Sequence, residues 1–377
     1  MSAVNKVLVV GGGISGLTLA IALSKQDIDV VVVEVSTDVR NQAGVGLSLQ
    51  GNSIAALGEI GLAEACIKEG MAANYLNIRK ADGELLMHQP IMQMGGTGYP
   101  GTVGISRSSL HGILLDAMDT KNVIFKQGVT FVHMDENPDG VLVRFSDGTE
   151  GNFDFVVGAD GLYSKVRRLL FPDVKPQHCG QSVWRAGVPR PKGNFTTELH
   201  FGGPFGAVGI CPISIDDGYV YIVDKSEKGE RHEGAESSRE MLDKLQSYGG
   251  HLIESCKSSL LESNNVSFRP LEWVLVEEPW YKGRIMIIGD AAHSGPPVLA
   301  QGAAMGIEDA IVLSQELSKS DCLDDALSKF MSRRFARAKM VVENSLQLCR
   351  WEVEHSASPN EVSQLMIESQ TLLSQPF

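Results

Sequence analysis

The chain has 377 residues, 43% of them hydrophobic and 21% charged, more than one compact core usually holds and too apolar for global disorder, so two domains or one large α/β domain with an insertion is expected. Thirty-three basic against 46 acidic side chains leave a net charge of −13, which argues against a nucleic-acid partner, because affinity for phosphate backbones rests on counterion release by Lys and Arg. The six cysteines (Cys66, Cys179, Cys211, Cys256, Cys322 and Cys349) form no C-x-x-C and read as reduced thiols of a cytoplasmic protein, and no apolar stretch reaches the roughly 18 to 20 residues of a membrane span.

The N-terminal apolar run Val7–Val10 is interrupted at once by glycines, so it reads as a strand and not as a signal peptide. The order there is strand (residues 6–10), glycine turn (GGGISG), helix (LTLAIALSK) and a second β-branched strand from Asp29 to Val33 that ends at Glu34, one βαβ unit of the usual ~30-residue length. A loop and a helix around SIAALGEIGLAEACI follow, then a hairpin signal at Asp82-Gly83 within residues 75–100. RSSLHGILLDAM reads as a helix, and the segment from Val123 to Gly161 as short strands separated by Asp-Gly turns. From about 173 to 268, SVWRAGVP, TTELHFG, AVGICPIS and GYVYIVDK read as strands of an antiparallel sheet, with one helix around REMLDKLQSYG. GRIMIIGD is again a strand, a long helix starts at Gly302, and helices continue to the end. The last is marked by Ser358 as N-cap, Pro359 at the first helical position and Glu361 at the third, ahead of an apolar face of Val362, Leu365, Met366, Leu372 and Leu373.

The first turn carries G-x-G-x-x-G. Gly11 permits the tight bend, Gly13 lets the backbone approach a pyrophosphate, and Gly16 lets the helix pack on the strand. Glu34, about 18 positions beyond Gly16 at the end of the second strand, is suited to accept hydrogen bonds from a ribose diol. A dinucleotide is therefore expected, but the turn meets only the ADP half that nicotinamide and flavin cofactors share, so it leaves the choice between them open.

Two later strings bear on that choice: VVGADGLYSKVR with Asp160 and Gly161, and GRIMIIGDAAHSGPPVLAQGAAMGIEDA with Gly289, Asp290 and Pro297. With the glycine turn they occur in the order found in the single-component FAD-dependent aromatic hydroxylases, the group that includes para-hydroxybenzoate, salicylate, 6-hydroxynicotinate and flavin-type urate hydroxylases, and the chain resembles that family over nearly its whole length. The resemblance implies a Rossmann-like α/β FAD-binding domain, discontinuous at 1–74, 101–172 and 269–345, an inserted antiparallel-sheet substrate domain at 75–100 and 173–268, and a C-terminal helical segment at 346–377. It further implies FAD as cofactor, NADH or NADPH as co-substrate, and hydroxylation of a small aromatic or heteroaromatic compound with O2 through a flavin C4a-hydroperoxide. Asp290 falls on the family position at the ribityl chain. Asp160 and Gly161 fall on the motif that serves FAD and the nicotinamide nucleotide, Arg107 on the arginine that contacts FAD, and Arg40 and Val129 near the adenosine half.

Gln301 and Gly302 also have a physical argument, since they open a helix whose free N–H groups and positive dipole end stabilise negative charge on a reduced isoalloxazine. The chain departs from many relatives where Val35 follows Glu34 and where Gln301-Gly302-Ala303-Ala304 replaces Gln-Gly-x-Asn. A thioredoxin-like C-terminal domain, as in the phenol hydroxylase branch, is not expected. His293, after GDAA, is a candidate acid/base or a scaffold histidine. Tyr219 and Tyr221, two apart in one strand, share a face that is either cleft wall or sheet cover. Leu47, Arg185 and Pro297 are substrate-side candidates, Arg185 for an anionic group, with Trp184 and His200 behind them. No metal motif is visible, and H-E-x-x-H, the P-loop and G-x-S-x-G are absent. Two rivals stay open: a flavin hydroxylase of a polyketide or antibiotic scaffold, and a non-catalytic dinucleotide-binding redox sensor.

Overall fold

The computed structural model describes residues 3–40, 45–94, 96–118, 121–232, 235–262 and 266–377. Strands β1 (Lys6–Val10) and β2 (Asp29–Glu34) flank helix α1 (Ile14–Ser24), and the valines of both strands are buried on both faces. Continuous apolar character, not alternation, is what a strand enclosed by two layers requires. β3 (Gly46–Gln50), α2 (Gly51–Glu59), α3 (Ala63–Glu69) and β4 (Met71–Ala73) lead into a hairpin of β5 (Tyr75–Lys80) and β6 (Leu85–Pro90), whose turn uses φ +94° at Gly83. β7 (Thr102–Ser106) precedes α4 (Arg107–Asp116), capped by the Ser106 hydroxyl, which accepts the Ser109 N–H at 2.9 Å.

β8 (Val123–Gln127) is followed by a meander of β9 (Phe131–Asn137), β10 (Gly140–Phe145) and β11 (Glu150–Phe153), then by β12 (Phe155–Gly158) and α5 (Lys165–Leu170). The central stretch holds β13 (Gln177–Pro189), β14 (Glu198–Phe201), β15 (Val208–Pro212), β16 (Asp217–Lys225), α6 (Ala235–Leu245), α7 (His251–Glu262) and β17 (Val266–Leu275). The chain closes with β18 (Tyr281–Lys282), β19 (Ile285–Ile287), β20 (His293–Ser294), α8 (Gly302–Lys319), α9 (Leu323–Glu354) and α10 (Pro359–Leu373).

The first sheet has the order β18-β19-β12-β1-β2-β8 and is parallel apart from β18. An eight-stranded sheet, β20-β17-β13-β16-β15-β14-β5-β6, is antiparallel except that β14 pairs with β5 in parallel. A hairpin drawn from a distant part of the chain is free to join either way. One face of this sheet, carrying Trp184, Ala186, Val208, Ile210, Val220 and Ile222, is packed by Met241 and Leu245 of α6 and by Leu252, Ile253 and Cys256 of α7. Helix α7 was not expected from the sequence. The small sheet β3-β7-β4 meets the large one closely enough that a Cβ on Gly104 would lie 2.0 Å from the Pro212 carbonyl oxygen.

Helix α9 runs unbroken through 345–346. The capping box of α10 forms as expected, with Ser358 N–H donating to Glu361 Oε2 at 2.8 Å, but of its apolar face Leu373 is buried while Leu372 stays 41% exposed. Among the described residues no helix is long and apolar enough to cross a membrane.

Candidate active site

The three glycines of the first turn have three different reasons. Gly11 adopts φ +110°, and a Cβ there would lie 2.4 Å from the Ala159 carbonyl oxygen. A Cβ on Gly16 would lie 1.9 Å from the Gly11 carbonyl oxygen, so here only glycine lets helix and turn close on each other. A Cβ on Gly13 would meet nothing within 4 Å. Gly13 is also the N-cap of α1 and gives it no side-chain cap, leaving first-turn N–H groups toward that open space, as an anion site at a helix N-terminus needs. Glu34 accepts the Gly12 N–H (2.7 Å) and the Ser36 N–H (2.8 Å), one on each carboxylate oxygen, which leaves lone pairs on both for further donors.

Beyond the end of β2 lies a hollow of about 530 Å³ lined by Thr37, Arg40, Leu115, Met118, Phe125 and Gln127 among others. Arg40 reaches across solvent to Asp116 at 2.8 Å. Val129 is buried, and its N–H donates to the Glu34 carbonyl oxygen at 3.0 Å, so it anchors the strand end. Asp160 is occupied locally: its carboxylate accepts the Ser164 hydroxyl and the Lys165 (2.6 Å) and Val166 (3.1 Å) N–H groups at the start of α5, while burial pushes its carboxyl up. Gly161 follows with φ +73°.

Gly289 turns the chain with φ +59°, and its Cα faces Gly306 of α8, with Ser15 of α1 wedged against both glycines. Asp290 is thereby held near the first residue of α8, its Oδ1 4.0 Å from where a Gly302 Cβ would stand. Its side chain opens to solvent, yet the surrounding protein pushes its carboxyl up against the pull of His293 and Arg107, the behaviour of a group deep in a cleft. Pro297 is exposed on the adjoining 3-10 turn, and α8 begins behind Gln301 without a side-chain cap.

Gln301 is locked by a reciprocal amide pair with Asn52 (2.9 and 3.3 Å), and Asn52 also donates to Glu308 at 2.7 Å. Beneath them, Arg334 donates to Asp309 (2.8 Å) and to Glu308, and Arg337 donates to Glu308 at 2.9 and 3.0 Å. Asn52, Glu308, Asp309, Arg334 and Arg337 were not singled out from the sequence. The available signal was the adjacent acid pair in GIEDA, inside an otherwise apolar helix stretch that demands buried cations. His293 belongs to this network: the residue is 3% exposed, its ring lies tilted against Trp280, and it contacts Asp309.

On the large sheet, Arg185 pairs directly with Tyr221, and Gly187 with Tyr219, so these side chains share the face turned toward the small sheet. The Tyr219 ring packs 2.9 Å from where a Gly46 Cβ would lie, and the Tyr221 ring occupies the space a Gly209 Cβ would need, 2.1 Å away. Burial pushes both phenol hydroxyls up. Arg185 has no carboxylate partner among the described residues; burial lowers it, with Tyr219, Arg107 and Tyr221 as its neighbours.

Three substrate-side candidates point elsewhere. Trp184 lies in the core against α6 and α7, and His200, opposite Val208 in the register, is buried on that same face. Leu47 points into the cluster of Leu49, Val103 and Ile105 behind the small sheet, because in strand alternation its neighbour Gly46 takes the other face.

A parallel sheet with this glycine turn, Asp290 beside the uncapped start of α8, and a second, larger sheet in the same chain define a dinucleotide-binding flavoprotein. The chain belongs to the single-component FAD-dependent aromatic hydroxylases: the family described as FAD binding domain matches residues 5–345. A putative FAD-dependent monooxygenase, YetM, of Bacillus subtilis (strain 168) is 32% identical over 359 residues, 94% of this chain and 96% of that protein. The 2-heptyl-3-hydroxy-4(1H)-quinolone synthase of Pseudomonas aeruginosa (strain UCBPP-PA14) is 32% identical over 92% of this chain and 90% of its own. The crystal structure of Klebsiella pneumoniae HpxO complexed with FAD and uric acid shares the fold, with a TM-score of 0.82 and 21% identity over 98% of this chain and 92% of that one. The protein is an FAD-dependent monooxygenase, and the cradle at Gly13, the free lone pairs of Glu34 and the uncapped ends of α1 and α8 fit that cofactor.

Proposed function

We propose that the protein hydroxylates a small aromatic or heteroaromatic compound bearing an acidic or strongly accepting ring substituent, with NADH or NADPH and O2 as co-substrates, in the cytoplasm. The observation that carries this reading is Arg185, a largely buried guanidinium without a carboxylate partner among the described residues, on the same sheet face as Tyr219 and Tyr221. An unpaired cation is costly to enclose, and a ligand anion or ring oxygen offsets that cost. The quinolone named for the Pseudomonas relative is such a heteroaromatic ring.

FAD, when bound, accepts hydride from the nicotinamide and activates O2. The chain's own groups do the positioning. The α1 N-terminus at Gly13 would hold the pyrophosphate, Glu34 the ribose and the hollow at Arg40 the adenine side, while Asp290 would take the ribityl hydroxyls and Arg107, Gln301 and Gly302 would face the flavin. Tyr219 and Tyr221, kept protonated by burial, donate hydrogen bonds and do not act as bases.

The division into an FAD-binding part (1–74, 101–172, 269–345) and a substrate-side sheet (75–100, 173–268) belongs to this proposal. Its test is a screen of aromatic acids, pyridines, quinolones and purines for accelerated NAD(P)H oxidation, with product mass. A compound that stimulates oxidation and gains one oxygen atom is the expected result, and absence of any stimulation by FAD-loaded protein across the panel overturns the reading.

A further inference from the structure

Away from the cleft, two of the six cysteines meet across the seam between α9 and the large sheet. Cys179 sits in β13 at the irregularity between His178 and Ser182, beside Gly180 with φ +89°, and is partly exposed. Cys349, on α9, is 1% exposed. Its S–H donates to the Cys179 carbonyl oxygen at 3.5 Å, and the two thiols lie beside each other. The seam is held in register one turn further along α9 by Glu352, which accepts the Gln181 side-chain amide (2.7 Å) and the Ala207 N–H (3.1 Å). Cys66 and Cys256, by contrast, lie in apolar surroundings that push their thiols up to about 12.

We propose that Cys179 and Cys349 are a redox-active dithiol that hydrogen peroxide converts into a disulfide clamping α9 to the large sheet. Peroxide is also what a flavin monooxygenase releases when NAD(P)H oxidation runs without hydroxylation, but the inference does not depend on the substrate. Cys179 is the attacking group: it is the one open to solvent, and the adjacent Cys349 thiol, aided by His178, holds its thiol down at about 7. Thiolate availability and access together select which cysteine reacts. The Cys179 thiolate attacks one peroxide oxygen, the O–O bond breaks, and the departing hydroxide takes up the thiol's proton as water, leaving a sulfenic acid. The Cys349 sulfur then attacks the sulfenic sulfur, the S–S bond forms, the S–O bond breaks, and a second water leaves with the Cys349 proton. Two thiols are thus oxidised by two electrons and one peroxide is reduced to two waters. Cys349 is reached only by way of Cys179, which fits a resolving role.

The test uses the full-length, FAD-loaded protein, treated with a small excess of hydrogen peroxide, unfolded, alkylated and peptide-mapped without reduction. Two of the six thiols become resistant to alkylation, the linked peptide joins Cys179 to Cys349, and dithiothreitol restores all six. Cys322→Ser behaves as wild type, whereas Cys349→Ser gives no linked peptide and instead a dimedone-trapped sulfenic acid at Cys179. The oxidised wild type also unfolds at a higher temperature than the reduced form, a difference that Cys349→Ser abolishes. Six alkylatable thiols after peroxide, or a linked peptide that maps through Cys322, overturns the proposal from wild-type protein alone, whether or not a variant folds.

Discussion

His293 Nε2 lies 2.6 Å from Asp309 Oδ2, and the same oxygen accepts the Gly289 N–H at 2.9 Å. One buried carboxylate thus holds the turn that presents Asp290, while its other oxygen takes Arg334. The histidine that follows GDAA therefore acts on the cleft through the backbone.

Asp309→Asn leaves Arg334 and His293 under-compensated in a dry site and should cost about 3–5 kcal/mol, read by urea unfolding. Burial alone would raise the Asp309 carboxyl, but His293 and Arg334 outweigh it and hold it at about 2, below its ordinary 3.8. A depressed carboxyl stabilises the fold above its unfolded value and loses that contribution as pH falls through the folded one. The stability gap between wild type and Asp309→Asn should therefore narrow, by roughly 2 kcal/mol, as pH falls from about 4 toward 2. A constant gap across that window refutes the pairing.

Gly13→Ala and Gly16→Ala should separate. The extended backbone and empty surroundings of Gly13 accept a methyl group, so the apoprotein should melt as wild type while the FAD dissociation constant rises about tenfold or more, roughly 1.4 kcal/mol. Gly16→Ala places a methyl on the Gly11 carbonyl and should lower the melting temperature itself. Equal FAD affinity in Gly13→Ala would place the pyrophosphate elsewhere.

Asp290→Ala should weaken FAD retention by about 1.5–3 kcal/mol, the range for charge-assisted hydrogen bonds, with circular dichroism unchanged. An unaltered dissociation constant would reduce Asp290 to part of the turn.

Arg185→Met should raise KM for an acidic substrate by roughly tenfold or more while FAD binding persists. Because the substitution removes an enclosed cation that no carboxylate neutralises, the substrate-free protein should melt no lower than wild type. A marked loss of stability would mean that Arg185 serves the fold.

Tyr221→Phe and Tyr219→Phe should keep FAD but divert NAD(P)H oxidation toward hydrogen peroxide, measured as the ratio of product to NAD(P)H consumed. Since burial raises both hydroxyls, neither should contribute a titration to the rate between about pH 6 and 9. Wild-type coupling in both variants would make the rings mere cover for the sheet.

Local patterns were legible from the residues alone. The βαβ unit, the tight bend at Gly11, the close packing at Gly16, the Gly83 turn, the capping box at Ser358 and the shared face of Tyr219 and Tyr221 are all set locally, where backbone sterics and strand alternation act. What alternation cannot say is which face meets which layer. That was decided only when α6 and α7 took the Trp184 and His200 side of the sheet and the small sheet took the Arg185 side. Tertiary packing likewise decided that Leu47 faces a core, that His293 finds Asp309, and that Asn52 grips Gln301 from 249 positions away. Buried polar groups must find partners wherever the fold supplies them, and a partner so distant in the chain leaves no trace in local spacing.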